Sequence, residues 1–410
     1  MLEPDILRSD VIISGGGLVG QTLALALAAH GLTSRIVDPA DPNRAIAPGF
    51  DGRATAIASA SLRMFEQIGL AARLKGKGCP IRQIWVSDGL KPGEIDFVPD
   101  DNEPLGVMFE NRDLRIALRD AVTESEAITL HAPERAVRTD RSDHNVRLEL
   151  ADGTVLAAPL LIAAEGRGSA TRDAAGIRLA HWSYRHSAII GGIAHAEPHD
   201  NVAYEIFYPS GPFALLPLPD LADGRHRSAF VWTVAQDDAP GLLALGERGF
   251  THELATRMGG ILGAVDLIAP RASYPLGFHH TARITDRRLA LVGDAAHAIH
   301  PIAGQGFNLG LRDVAALTEV LVEGARLGLD LGDAQLLDRY ERWRGVDSLL
   351  VSISTDSLTR LFGIPGRTAS AIRRAGLGAV QRLPMLKSLF MAEARGTSGD
   401  LPRLLSGMPI

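Results

Sequence analysis

Cysteine is nearly missing from this sequence: Cys79 is the one such residue in 410. That excludes an internal disulfide framework and a thiolate cage for a metal. Basic tracts are missing too, and the net charge is −6, which argues against a non-specific nucleic-acid binder. There is no internal repeat and no low-complexity segment. No secretory signal is expected either. The residues ahead of the first apolar run carry Glu3, Asp5 and Asp10 against Arg8, where a signal would carry positive charge. That run, Val11 to Ala29, is uncharged and long enough to span a bilayer. Gly15, Gly16, Gly17 and Gly20 interrupt it, however, and divide it into a strand-like half and a helix-like half. The expectation is a cytoplasmic chain. With 46% apolar and 22% charged residues it has an ordinary globular balance, and its length suits two or three domains.

The first forty residues read as β-α-β. Val11 to Ser14 is a short buried strand, a helix follows the glycines through Ala29, and Gly31 closes it. Ser34 to Val37 is a second strand, closed by Asp38. Ala56 to Ile68 and Asn111 to Val122 read as helices. Ile81 to Val98 carries short alternating strands, and Ala127 to Ile162 reads as a β-meander. From Trp182 to Tyr274 the chain is mostly strand, interrupted by one helix at Thr251 to Met258. Ala334 to Ile410 is helical with Pro and Gly breaks.

Gly15-Gly16-Gly17-Leu18-Val19-Gly20 matches G-x-G-x-x-G. Gly15 makes the tight turn, Gly17 lets backbone approach a pyrophosphate, and Gly20 lets helix pack on strand. The helix start offers unpaired N–H groups to phosphate. Asp38 stands about 20 residues on, where an acid meets a ribose hydroxyl. Strand, glycines, helix, strand and acid together indicate a dinucleotide. The βαβ pattern then breaks off after Asp38 and returns much later, which favours FAD over a nicotinamide dinucleotide.

The return is Leu289-Ala290-Leu291-Val292-Gly293-Asp294, a buried strand ending in Gly-Asp. The stretch Pro301-Ile302-Ala303-Gly304-Gln305-Gly306-Phe307-Asn308-Leu309-Gly310 then leads into a helix. Asp294 can bond a polyol chain, and the glycine loop exposes N–H groups at a helix start that favours negative charge. A further strand, Leu160 to Ile162, runs into Glu165-Gly166.

These three signals, in this order, resemble those of the single-component FAD-dependent aromatic hydroxylases, and most closely the ubiquinone-biosynthesis hydroxylases among them. Leu291 to His297, His300 to Val314, Gly211 to Leu218, Asp51-Gly52-Arg53, Tyr340 with Arg344, and Thr355 through Phe362 carry the resemblance, which spans essentially the whole chain. One departure is Glu165-Gly166 where the family has Asp-Gly. The charge is kept and its reach is shifted.

The resemblance implies an α/β fold: a Rossmann-like FAD-binding domain (1–75, 105–180 and 278–335), an inserted sheet-rich α+β substrate domain (76–104 and 181–277) and a helical C-terminal segment (336–410). It implies that Gly15, Gly17, Leu18, Val19 and Gly20 hold the FAD pyrophosphate and Asp38 the adenosine ribose. Arg53, Arg112 and Glu165 lie near the cofactor, and Asp294 meets the ribityl chain. Pro301, Gly304 and Gly306 form the flavin loop, and the N–H groups of Phe307 and Asn308 face the pyrimidine end of the flavin. Phe213, Leu215 and Leu216 are candidates for the substrate wall, and His297 and His300 for either a phenol proton or a structural bond. No metal site is indicated.

The implied reaction is hydroxylation of a polyprenylated phenol in ubiquinone biosynthesis through a flavin hydroperoxide. It consumes O2 and takes electrons from NAD(P)H or a partner reductase. A substrate of that kind implies contact with the inner face of the membrane and with other proteins of the same pathway, and Met385 to Met391 is the stretch suited to the membrane. Two alternatives stay open: an FAD oxidoreductase that inserts no oxygen, of the prenyl-reductase kind, or a hydroxylase of soluble phenols. A flavin-holding subunit without turnover is a third reading. A halogenase is disfavoured, because Trp85, Trp182, Trp232 and Trp343 never form Trp-x-Trp-x-Ile-Pro.

Overall fold

The computed structural model describes residues 6–90, 95–99, 103–299, 305–363, 366, 373, 376, 378 and 380–410. Pairing of the short buried strands builds a six-stranded sheet. Its order is Thr285–Asp286, Leu289–Leu291, Leu160–Ala163, Val11–Ser14, Ser34–Val37, Ile128–His131. All neighbours are parallel except the first two, which form a hairpin. Val11 to Ile13 and Leu160 to Ala163 are fully buried, as continuous apolar runs in a parallel sheet must be. The helices Leu18–Ala28, Asn111–Glu124 and Gln305–Arg326 belong to the same core. The last of these is buried at every residue from Asn308 to Val322, because the helix Ala334–Gly363 covers the side that would otherwise face water.

Two readings of the sequence need correction. Ala127 to Ile162 is not one meander. Ile128–His131 and Leu160–Ala163 join the parallel sheet, while Ala136–Arg141, Val146–Leu150 and Val155–Ala158 form a separate sheet with Ile6–Arg8. Local alternation cannot tell these partners apart. The segment read as helix from Ala56 begins instead as the strand Ala54–Ala58, paired with Gly106–Glu110, before the helix Ser59–Gln67. A distant strand there overrides local helix preference.

A nine-stranded sheet holds the middle of the chain. Its main path runs His297–Ala298, Ala272–Thr281, Leu179–His195, His226–Ala235, Gly211–Leu218, Val202–Tyr208, Gln83–Asp88, Ile95–Phe97, with Val265–Leu267 beside Leu179–His195. One face packs on two helices, Ala239–Ala244 and Glu247–Met258, where the sequence suggested one. The other face meets a three-stranded sheet of Ala54–Ala58, Gly106–Glu110 and Cys79–Ile81. The two large sheets meet at one short crossing. Leu289–Leu291 lies in the parallel sheet, and a few residues later His297–Ala298 pairs with His279 and His280 of the nine-stranded sheet. Gly293 and Asp294 form the crossing between them.

Candidate functional site

The first glycine loop separates two demands on glycine. Gly15 has φ +108°, and a β-carbon there would sit 2.4 Å from the Ala164 carbonyl oxygen. On Gly20 it would sit 1.9 Å from the Gly15 carbonyl oxygen. Packing of the chain on itself requires both. Gly17 has an ordinary φ of −73°, and a β-carbon there meets no atom within 4 Å. Nothing among the described residues asks for glycine at that position. The open space before the N-terminus of Leu18–Ala28 does, because an anion reaching those N–H groups must approach the backbone closely. Asp38 ties this loop to the second strand. Its Oδ2 accepts from the Gly16 N–H at 2.6 Å and its Oδ1 from the Ala40 N–H at 2.7 Å.

The crossing segment is locked to the first loop by one side chain. Val19 packs against both Gly293 and Gly310, where a β-carbon would lie 3.1 Å from its Cγ2 in each case. The Gly293 N–H donates to Asp313 Oδ2 at 2.9 Å. Asp313 is fully buried. It also receives Arg344 Nε at 2.8 Å, and His297 Nε2 lies 2.7 Å away. Burial alone would lift the Asp313 carboxyl, but His297 and Arg344 outweigh it and hold it below the usual carboxylate range. Arg344 and Arg312 both reach Asp347, and the Tyr340 hydroxyl donates to the Leu291 carbonyl at 2.8 Å. This network fastens the crossing, the late helix and the long C-terminal helix together. The sequence reading noted Asp313, Tyr340 and Arg344 only as points of resemblance. Pairing across such separations leaves no local signal.

The start of the late helix is fixed from outside. Asn308 Oδ1 accepts from the Ala58 N–H at 2.9 Å and from Ser61 Oγ at 3.0 Å, and its Nδ2 donates to the Ala56 carbonyl at 2.8 Å. Among the described residues, a β-carbon on Gly306 meets nothing within 4 Å. The first-turn N–H groups of this helix have no partner inside it.

The profile of the FAD binding domain family matches residues 8–346. A ubiquinone hydroxylase (UbiL) of Rhodospirillum rubrum is 45% identical over 98% of this chain and 94% of its own. A 3-demethoxyubiquinol 3-hydroxylase of Escherichia coli is 32% identical over 95% and 98%. The chain belongs to the FAD-dependent monooxygenases. Two solved structures share the fold. They are p-nitrophenol 4-monooxygenase of Pseudomonas putida (TM-score 0.79, 16% identity, 97% of this chain and 100% of that one) and PqsL of Pseudomonas aeruginosa with 2-aminobenzoylacetate (0.76, 21%, 92% and 100%).

The residues of this monooxygenase fit FAD. Gly17 and Gly306, where a β-carbon meets no described atom, lie at two helix N-termini, the places where a pyrophosphate and the electron-rich end of a flavin need backbone donors. Asp294, on the crossing, is half-exposed and paired with Arg167 at 3.2 Å, so its carboxylate is accessible to a polyol. Pro301 and Gly304, with His300, lie outside the described residues.

Other residues expected at the cofactor have partners within the protein. Glu165 accepts from Ser14 Oγ (2.6 Å), Thr171 Oγ1 (2.8 Å), Ser169 Oγ (2.5 Å) and the Thr171 N–H (3.0 Å). Four donors fill its acceptor sites, so it shapes the loop and makes no outward contact. Arg112 Nε donates to the carbonyls of Ile46 and Ala47. Arg53 bonds Asp51, which raises the guanidinium's pKa further. His297 is committed to Asp313, which is a structural role. Phe213, Leu215 and Leu216 cannot form one wall. Neighbouring strand residues point to opposite faces. Phe213 and Leu215 are buried against the helical side, and Leu216 belongs to the face toward Ala54 and Ala56. Cys79 is buried, and that burial pushes its thiol up to about 11, so it is not a nucleophile. Among the described residues no group of three or more side chains could hold a metal, and no helix is long and apolar enough to cross a membrane.

Proposed function

We propose that this monooxygenase hydroxylates the aromatic ring of a polyprenylated phenol in ubiquinone biosynthesis. The observation that carries this reading is the full-length likeness to the ubiquinone hydroxylase of Rhodospirillum rubrum. A ring C–H becomes C–OH, the second oxygen atom of O2 leaves as water, and NAD(P)H or a partner reductase supplies two electrons. FAD, when bound, supplies the activation of O2. The chain's own residues position and enclose. Gly17 and the start of Leu18–Ala28 receive the pyrophosphate, Asp38 the ribose and Asp294 the ribityl chain. The N–H groups of Phe307 and Asn308 serve the pyrimidine end of the flavin. The unit built on the parallel sheet carries FAD, and the nine-stranded sheet roofs the substrate and excludes water.

A polyprenylated substrate resides in a bilayer, and the helix Pro384–Ala394 suits that surface. No residue of it is buried, and Met385, Leu386, Leu389 and Phe390 are 78%, 37%, 61% and 42% exposed. Between Asp356 and Glu393 the chain has no acidic residue and six basic ones: Arg360, Arg367, Arg373, Arg374, Arg382 and Lys387. Arg373 is used up on Asp88, but Arg382 is exposed beside the apolar helix. Apolar side chains with flanking cations match an anionic lipid surface. Phe390 packs against Phe97 of the nine-stranded sheet, so this surface adjoins the substrate side.

The test has two arms. Quinone lipids from a strain lacking this chain are expected to accumulate a prenylated phenol one oxygen short. Purified enzyme with FAD, NAD(P)H and labelled O2 is expected to place one labelled atom on the ring. Turnover without label would support the oxidoreductase alternative, and label on soluble phenols alone would overturn the prenylated substrate.

A further inference from the structure

One half-buried acid has no part in anything described so far. Glu205 lies in the middle of Val202–Tyr208, opposite Ala214 on one neighbouring strand and Val86 on the other. The pleat places Tyr204 and Ile206 on the helical side of the sheet. Glu205 therefore shares its face with Ala203 and Phe207. These two belong to the apolar layer that includes Val86, Leu216, Ala54 and Ala56. Ala56 and Ala58 are the residues that Asn308 holds at the start of the late helix. The helix Ala334–Gly363 packs across Val202–Tyr208 and Gly211–Leu218. This face of the sheet is thus the one turned toward the flavin-binding unit.

An acid in such a place ordinarily has a partner. No hydrogen-bond donor and no cation among the described residues reaches this one. The nearest acid on the neighbouring strand, Asp88, opposite Phe207, is already paired with Arg373 at 2.9 Å. A half-buried carboxyl with no protein partner in an apolar wall keeps its hydrogen-bonding positions open to a ligand.

We propose that the Glu205 carboxyl is the hydrogen-bonding anchor for a ring oxygen of the aromatic substrate. The assignment rests on the phenol reading above. Burial pushes the carboxyl up to about 8, so at neutral pH it is mostly protonated. A protonated carboxyl can donate to a ring oxygen and accept from a phenol O–H at once, which an ionised one cannot. The remaining wall is apolar and suits the ring face and the prenyl chain. One polar group there orients the ring by choosing which oxygen turns toward the sheet.

The test uses FAD-loaded enzyme with Glu205→Leu and Glu205→Gln. The KM for a short-chain prenylated phenol is expected to rise about tenfold in E205L, the loss of one hydrogen bond, and to stay within about threefold in E205Q. Product formed per NAD(P)H oxidised should fall in E205L alone, since a misoriented ring lets reducing power escape as peroxide. A second readout needs no turnover. Substrate-free E205L should melt at or above the wild-type temperature, because it removes an unpartnered polar group. A merely structural Glu205 would lower it. An unchanged KM and coupling in E205L overturns the proposal, and so does a lower melting temperature. If wild-type enzyme turns over no phenol, the substrate reading fails instead. Titration of a ring-hydroxylated ligand into both proteins, followed by flavin absorbance, then decides the role of Glu205.

Discussion

Asp313 and Arg344 meet at 2.8 Å, with side chains 0% and 2% exposed, one from the late flavin helix and the other from the long C-terminal helix. The same carboxylate holds the Gly293 N–H at 2.9 Å. The C-terminal segment therefore sets the backbone from which Asp294 projects. Removing one member of a buried pair leaves the other charge stranded, and the pair tolerates only joint replacement.

Asp313→Asn is accordingly expected to destabilise the holoenzyme by about 3–5 kcal/mol and to release FAD. The pH dependence has a definite sign. The folded carboxyl ionises below its unfolded value of about 3.9, so the unfolded chain binds the extra proton. Its stabilisation is complete above that value and is lost as pH falls through the folded pKa. Urea melts across the acid limb should therefore show a shallower slope in D313N than in wild type.

Gly17 and Gly20 should part company on substitution. Gly20→Ala drives a methyl into the Gly15 carbonyl oxygen and is expected to abolish folding. Gly17→Ala meets open space and should fold with a wild-type melting temperature without FAD, yet bind FAD at least tenfold more weakly. Flavin content after dialysis and melts of the apoprotein check both.

Tyr340→Phe removes the donor to the buried Leu291 carbonyl. A loss of about 1–3 kcal/mol is expected, with FAD content and coupling unchanged. A large change in coupling instead would mean that the hydroxyl acts beyond the core.

Met385→Glu with Leu389→Glu should abolish cosedimentation with vesicles of phosphatidylcholine and phosphatidylglycerol. Because both residues are exposed, the melting temperature should not move. Vesicles of phosphatidylcholine alone should bind wild-type enzyme several-fold less. Equal binding to both kinds would remove the electrostatic part of the argument.

Much of the cofactor side was legible in the sequence because its chemistry is local. A glycine turn between a strand and a helix places backbone donors at a helix start within a few residues, and Gly15 to Gly20 with Asp38 read directly as such a turn. Gly293-Asp294, at the end of the buried strand Leu289–Leu291, was legible in the same local way. What the residue string left undecided were relations between residues far apart. Phe213, Leu215 and Leu216 lie within four residues of one another, but only the packed sheet says which face meets helices and which meets the flavin unit. Glu165 kept the charge its position calls for, and only the folded loop spent that charge on Ser14, Ser169 and Thr171. Glu205 is one acid in a strand until the fold places it, half-buried, in an apolar layer. By itself the sequence determined the dinucleotide loops and the succession of elements, which follow from short-range sterics and periodicity. Tertiary structure alone decided which polar groups satisfy one another and which are left for a ligand, because burial and pairing are set by neighbours that the chain reaches only when folded.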